Sequence, residues 1–352
     1  MNKTIIKGIG HYIPDNVLTN QDLESIMDTD DGWIRERTGI IERHVATKFK
    51  ETTATMGAEA ARNAIRSAGI EPNDIDFIIF ATLSPDYYFP GCGVLAQRML
   101  GISEGECGAL DIRNQCSGFI YGMSVADQFI KTGMYRNILL IGSEAHSLGM
   151  DYSTRGRDVS VIFGDGAGAV ILQPSENETS GILSTHLHSD GRYAEKLAFI
   201  SPGCHGGYYA DDAEKYGFSE DSLESVFLTQ AMLDNHLTFP QMDGQFVFKH
   251  AVTKFPEVIQ EALKKAGKKA SDLKILIPHQ ANLRISQFVQ KRMGLTDDQV
   301  YNNIQKYGNT TAASIPIALS EAYHEGRIDH GDLVCLAAFG SGFTWGSVLL
   351  NW

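Results

Sequence analysis

The stretches AIRSAGIEPNDIDFIIF (64–80) and ALKKAGKKASDLKILIP (262–278) align without a gap at an offset of 198 residues (64 to 262). Ala64, Ala68, Gly69 and Asp74 meet Ala262, Ala266, Gly267 and Asp272. Each copy reads as a helix end, a glycine stop, a polar turn and an apolar run of strand length. A second block, at an offset of 193 (133 to 326), aligns the helix stops Gly133 and Gly326 and lays Cys116 on Asn309. A third lays a glycine hairpin around Gly164 on one around Gly342. Three blocks in the same order predict a duplicated chain with halves 1–175 and 176–352. Strand and helix alternate in both halves, which predicts an α/β fold whose sheets are covered on both faces. A pseudo-twofold then brings equivalent strand ends to one centre, where α/β sites form.

In the first half, residues 110–142 read LDIRNQCSGFIYGMSVADQFIKTGMYRNILLIG. Phe119, Met123, Ala126 and Ile130 recur at helical steps, and a buried strand follows Gly133. Cys116 therefore sits at a helix mouth. Free N–H groups and the positive end of the helix dipole favour its thiolate, the nucleophilic form. A small buried core cysteine fits the same segment.

The bulk composition narrows the class. The chain has 352 residues, 43% of them hydrophobic, and a net charge of −13. No basic run offsets the acid, which argues against nucleic acid. No apolar run has the length of a membrane span, and the N-terminus lacks a signal-peptide pattern. Five cysteines without CxxC predict neither disulfides nor a zinc site. A reducing, cytoplasmic setting is expected, with no metal and no bound cofactor.

Two further segments bear on function. SVIFGDGAGAVIL (160–172) has GxGxG spacing with strand-like flanks, which predicts a tight hairpin rather than a phosphate cradle. Residues 192–245 lack a clear pattern and read as an insertion, a common form of functional cover. His279 follows the strand predicted at 273–277, and Asn309 opens a helix. A neutral histidine and an asparagine amide are both donors able to hold a carbonyl oxygen as it becomes an enolate. A thiolate attacks a thioester carbonyl readily. Cys116, His279 and Asn309 therefore form a candidate site for decarboxylating a malonyl thioester. Singly, His279 fits a strand-end partner and Asn309 fits an N-cap.

DDGWIRERTGI (30–40), the Cys116 segment, FGDGAGAV (163–170), HSDG (188–191), PHQANLRI (278–285), YGNTTAASIP (307–316) and FGSGFTWGS (339–347) span nearly the whole chain. In these motifs the sequence resembles the beta-ketoacyl-acyl-carrier-protein synthase III family of the thiolase-like fold. The resemblance implies five alternating αβαβα layers and a homodimer. It implies that Cys116 takes an acyl group from acyl-CoA. His279 and Asn309 then drive decarboxylation of malonyl-acyl-carrier protein, and condensation gives a 3-oxoacyl-carrier protein. The N–H groups of Cys116 and Ser341 are implied as the oxyanion hole. Trp33, Arg37, Arg155 and Gln245 match CoA-binding positions, and Phe89 and Phe339 match the acyl pocket. Phe89 matches a residue with which one subunit closes the other's pocket. Ser341 replaces a frequent glycine, Gln245 replaces a frequent asparagine, and 192–245 is long for the family. A starter other than acetyl is compatible with these departures.

Arg284, Lys291 and Arg292 fall on one helical face just after His279, and Lys249 matches a nearby family position. Together they form the expected docking patch for an acidic carrier protein. A related acyltransferase, a non-decarboxylating Claisen enzyme for long chains and a non-catalytic carrier-binding subunit are the competing readings. The presence of Cys116 opposes the last.

Overall fold

The computed structural model describes residues 3–177, 179–205, 217 and 227–352. Most of the centre of the expected insertion, 206–216 and 218–226, lies outside the described residues. Strands are numbered here in chain order.

Five strands form the first sheet: β1 (Thr4–Tyr12), β4 (Phe77–Ala81), β5 (Gly108–Ile112), β6 (Ile138–Glu144) and β7 (Gly166–Pro174). Their order is β1-β7-β6-β4-β5, with β4 parallel to both neighbours and β7 antiparallel to both of its own. The second sheet runs β11-β12-β13-β8, from Ile275–Pro278, Leu333–Gly340, Thr344–Asn351 and Gly181–Ser189. Here β11 and β12 are parallel, and the other pairs are antiparallel. The second sheet thus repeats the first without its β5. Two small pairs complete the described strands: β2 (Asn16–Thr19) with β3 (Glu42–Val45), and β9 (Leu197–Ala198) with β10 (Gln241–Met242).

Successive side chains of a strand face opposite ways, and β6 shows what that does here. Ile138 and Leu140 enter a central core, while Leu139 and Ile141 enter an outer one. The central core also holds Phe119 and Met123 of the Gly118–Lys131 helix, Ile315 and Leu319 of the Ser314–His324 helix, and Leu336 and Val348 of the second sheet. Those two helices therefore form the middle layer. The Thr53–Ala68 helix covers the first sheet from outside, and the Gly244–Lys265 and Leu283–Met293 helices cover the second. The layers are αβαβα. Small residues permit the close approach: a Cβ on Gly8 would lie 2.4 Å from the Ala64 carbonyl oxygen.

Two sequence expectations need correction. First, Cys116 does not pair with Asn309. The three-residue 3₁₀ turns Gln115–Ser117 and Thr311–Ala313 precede the central helices at an offset of 196 (115 to 311). Gln115 and Thr311 hold matching φ values of 47° and 45°. The helices end at an offset of 193 (131 to 324), because one has 14 residues and the other 11. Reading back from the glycine stops slips by three residues at the helix mouths. The structural counterpart of Cys116 is Ala312, and Asn309 lies on the loop before the turn.

Second, Gly164 is not in a hairpin. Arg157–Ser160 is helical, β7 starts at Gly166, and Phe163 makes an isolated bridge to Asn309. Gly164 is needed for closeness: a Cβ there would meet the Tyr307 carbonyl oxygen at 2.1 Å.

Candidate active site

Cys116 lies buried in the turn that opens a central helix, and three neighbours fix that turn. Ser117 Oγ is 2.7 Å from Thr344 Oγ1, whose hydroxyl donates to the Ser341 carbonyl at 2.9 Å. The Gly340–Thr344 corner is thereby pinned to the cysteine. A Cβ on Gly340 would sit 2.4 Å from Cys116 Cβ and 2.8 Å from Sγ, so only glycine fits beside the thiol. The backbone N–H groups of Ser341 and of Cys116 itself both reach the sulfur. They favour the anion, as the sequence led us to expect, but burial outweighs them. It pushes the thiol up to about 12, and the Glu144 carboxylate adds to the rise. The resting group is a thiol whose charge is stabilised only as it forms.

His279 follows β11 and is buried. Burial lowers its pKa to about 3, so the ring is neutral. Nδ1 lies 2.7 Å from Ser314 Oγ, and buried Nε2 has no partner among the described residues. Asn309 Oδ1 accepts the Thr311 N–H at 2.9 Å, which leaves its NH₂ end for the cavity. Its backbone is held on both sides, donating to the Ile162 carbonyl at 2.9 Å and accepting from the Gly164 N–H at 3.2 Å. His146 is buried behind this loop and hydrogen-bonds Thr311 Oγ1.

One cavity of about 600 Å³ joins Cys116, His279, Asn309 and Phe339 at its floor to Trp33, Arg37, Gln245 and Arg284. Toward Trp33 its character becomes cationic. The Arg37 guanidinium lies 4.9 Å from the Trp33 ring centroid, and that of Arg157 lies 5.5 Å away. Arg155 does not line this cavity; it is paired with Asp151 at 2.7 Å. Arg157, which opens a short helix two residues later, is likewise outside the lining, but its guanidinium lies beside Trp33 and donates to the Asp28 carbonyl. Phe89 is 82% exposed and also outside the cavity lining. Lys249, Lys291 and Arg292 are exposed, and only Arg284 of the basic set reaches the rim. Lys291 and Arg292 stand about two helical turns further along.

Ser341 carries a second role that its N–H does not reveal. Its hydroxyl donates to the Leu197 carbonyl in β9. Leu197 and Met242, on the paired β9 and β10, both line the cavity. The stem of the expected insertion is thus tied to the corner beside the cysteine. Arg157, Ser314 and Gly340 were all missed from sequence. Ser314 and Gly340 lie inside motifs already quoted, five residues after Asn309 and one before Ser341.

Comparison with known proteins places this geometry. Residues 110–191 match the family model for 3-oxoacyl-[acyl-carrier-protein] synthase III, and residues 263–352 match its C-terminal model. A beta-ketoacyl-[acyl-carrier-protein] synthase III of Acidiphilium cryptum is 42% identical over 352 residues, all of both chains. The chain belongs to the beta-ketoacyl-[acyl-carrier-protein] synthase III family. It is an acyltransferase of the condensing type with the thiolase-like fold. Among solved synthase III structures, that from Aquifex aeolicus is 40% identical, with a TM-score of 0.84 over 99% of this chain and 100% of the other. That from Thermus thermophilus is 35% identical, with a TM-score of 0.85 over 99% and 98%. Among the described residues of this synthase, no helix is long and apolar enough to cross a membrane, and no acidic, histidine and cysteine cluster could hold a metal.

Proposed function

We propose that this synthase condenses an acyl-CoA starter with malonyl-acyl-carrier protein through an acyl-Cys116 intermediate. The carrying observation is that the unpartnered Nε2 of a neutral, buried His279 opens on the same cavity as Cys116 and Asn309. In the first half-reaction the Cys116 sulfur attacks the thioester carbonyl. The Cys116 and Ser341 N–H groups stabilise the oxyanion, and CoA leaves as its thiol carrying the cysteine proton. In the second, the malonyl carboxylate departs as carbon dioxide. His279 and Asn309 donate to the thioester oxygen of the resulting enolate. Its carbon attacks the acyl-Cys116 carbonyl, the Cys116 thiolate leaves, and a proton from solvent restores the thiol.

Trp33, Arg37 and Arg157 suit the nucleotide end of CoA, with ring stacking and phosphate pairing in one place. The carrier protein docks at the rim beside Arg284. No cofactor enters the reaction. A cytoplasmic homodimer completes the reading. Strand β5 is an unpaired sheet edge, and exposed Leu110, Tyr87, Tyr88 and Phe89 lie on or near it. In such a dimer Phe89 closes the other subunit's acyl pocket.

The test is intact-protein mass spectrometry after incubation with a panel of acyl-CoAs, followed by malonyl-carrier protein. One acyl mass should appear, be discharged by the second substrate, and be missing in Cys116→Ala. Acylation that persists in Cys116→Ala would sink the assignment.

A further inference from the structure

His279 is useful as a donor only in one of its two neutral forms. Neutral imidazole has one N–H and one bare nitrogen, and a partner on one side decides which is which. The partner here is Ser314 Oγ, 2.7 Å from Nδ1. Ser314 is buried at the first position of the Ser314–His324 helix. Its oxygen also lies 3.4 Å from the Gln280 backbone N–H, which can only donate. One lone pair accepts that N–H, and the hydroxyl's own hydrogen still needs an acceptor. Among the described contacts, the only acceptor within reach is His279 Nδ1.

The alternative assignment fails on satisfaction. If Nδ1 carried the hydrogen and donated to Ser314, the serine hydrogen would be buried without a partner. Leaving a buried polar group unmatched is unfavourable by an amount that few sites tolerate. With Nδ1 as acceptor, every polar hydrogen in the group is placed except the one on Nε2. That atom is buried, has no partner among the described residues and belongs to a residue lining the cavity.

We propose that Ser314 is a positioning residue that holds His279 in the Nε2–H form, so that a hydrogen-bond donor faces the substrate oxygen. The same segment orients the other donor, since the Thr311 N–H takes Asn309 Oδ1 and turns its NH₂ end outward. Residues 311–314 therefore set both donors, although neither donor belongs to that segment.

The proposal rests on the condensing reading for its kinetic consequence but not for its structural one. ¹⁵N–¹H spectra of the histidine side chains report the tautomer directly. His279, identified by its loss in His279→Asn, should be protonated at Nε2 in the parent. Ser314→Ala should shift it to a mixture or to Nδ1–H, and Ser314→Thr should restore Nε2–H. In kinetics, Ser314→Ala should lower the condensation kcat at least tenfold more than the acyl-transfer rate, with Ser314→Thr recovering most of the loss. A parent protonated at Nδ1, or a Ser314→Ala tautomer identical to the parent's, overturns the proposal. So does equal loss of both half-reactions in a folded Ser314→Ala. Should the parent fail to condense while the spectra shift as described, the condensing reading falls and the tautomer assignment stands.

Discussion

At the scale of single residues, the site divides its labour between sulfur and donors. Burial holds the Cys116 thiol up, and the Ser341 and Cys116 N–H groups oppose that rise; in the proposed mechanism they meet the charge as it forms. In the proposed mechanism His279 and Asn309 serve a later charge, on an enolate. Asn309→Ala should therefore still form the acyl-enzyme, while condensation with malonyl-carrier protein falls about 10²- to 10³-fold. Rapid-quench mass spectrometry of each half-reaction separates the two. Loss of acylation with condensation intact would reverse the roles. All three residues, which line the cavity floor, were singled out in the sequence, from a helix-mouth signal at Cys116, a strand end at His279 and a helix start expected at Asn309 that lies two residues further on. Ser314 was not, because a serine at a helix start reads first as a cap. Only its distance to the imidazole reveals another use.

At the scale of elements, the decisive piece is the corner between β12 and β13. Gly340 touches the nucleophile, Ser341 supplies an N–H, and Thr344 ties both to Ser117. Gly340→Ala must push Cys116 out of register with the two N–H groups. Acyl transfer should drop by about 10² or more, since small misplacements at a reacting atom are that costly. Circular dichroism should show the fold retained, and an acyl-transfer rate near the parent's would contradict the packing. The Leu283–Met293 helix makes a second prediction. Arg284→Glu places a negative charge at the rim, the proposed docking place of an acidic carrier protein. KM for malonyl-carrier protein should rise several-fold at low salt and recover at high salt, with acylation by acyl-CoA little changed. A KM equal to the parent's at low salt would remove Arg284 from docking. The corner was visible in advance: the sequence placed a glycine hairpin around Gly342, and the structure turns there between β12 and β13. The connection before β7 was misread because strand-like Val161, Ile162 and Phe163 there form a turn pinned by Asn309 and Tyr307.

At the scale of the whole molecule, two neutral histidines lie deep inside. Burial lowers both His146 and His279 to about 3, whereas the unfolded chain binds protons from about 6.5 downward. Their contribution to stability is full above that value and is lost as pH falls toward 3. Each adds about 1.4 kcal/mol per pH unit to the slope within that window. Denaturant midpoints measured from pH 7 to pH 4 should fall accordingly, and His146→Gln should flatten the decline by one such increment. An unchanged slope would show that His146 is protonated in the native state. The architecture itself was legible from a repeat of seventeen residues, because each copy forms the outer helix and adjoining strand of its own half and meets the same packing demands. The exact equivalence across the two halves was not, since one central helix is three residues shorter and sequence offsets cannot show where a slip occurs.

That slip has a consequence for the order of events in catalysis. The turns at 115–117 and 311–313 abut, with a Cβ on Gly118 reaching Ala312 Cβ at 3.6 Å. Two faithful copies would have set one thiol against another at the heart of the protein. Such a pair could oxidise to a disulfide, or carry two acyl groups with nothing to distinguish giver from receiver. With Ala312 at one mouth and Asn309 on the loop before it, only one half offers a thiol for the proposed acyl transfer. In that reading the other half, with His279 and Asn309, serves the second substrate. A mirror-like scaffold has in this way acquired a before and an after.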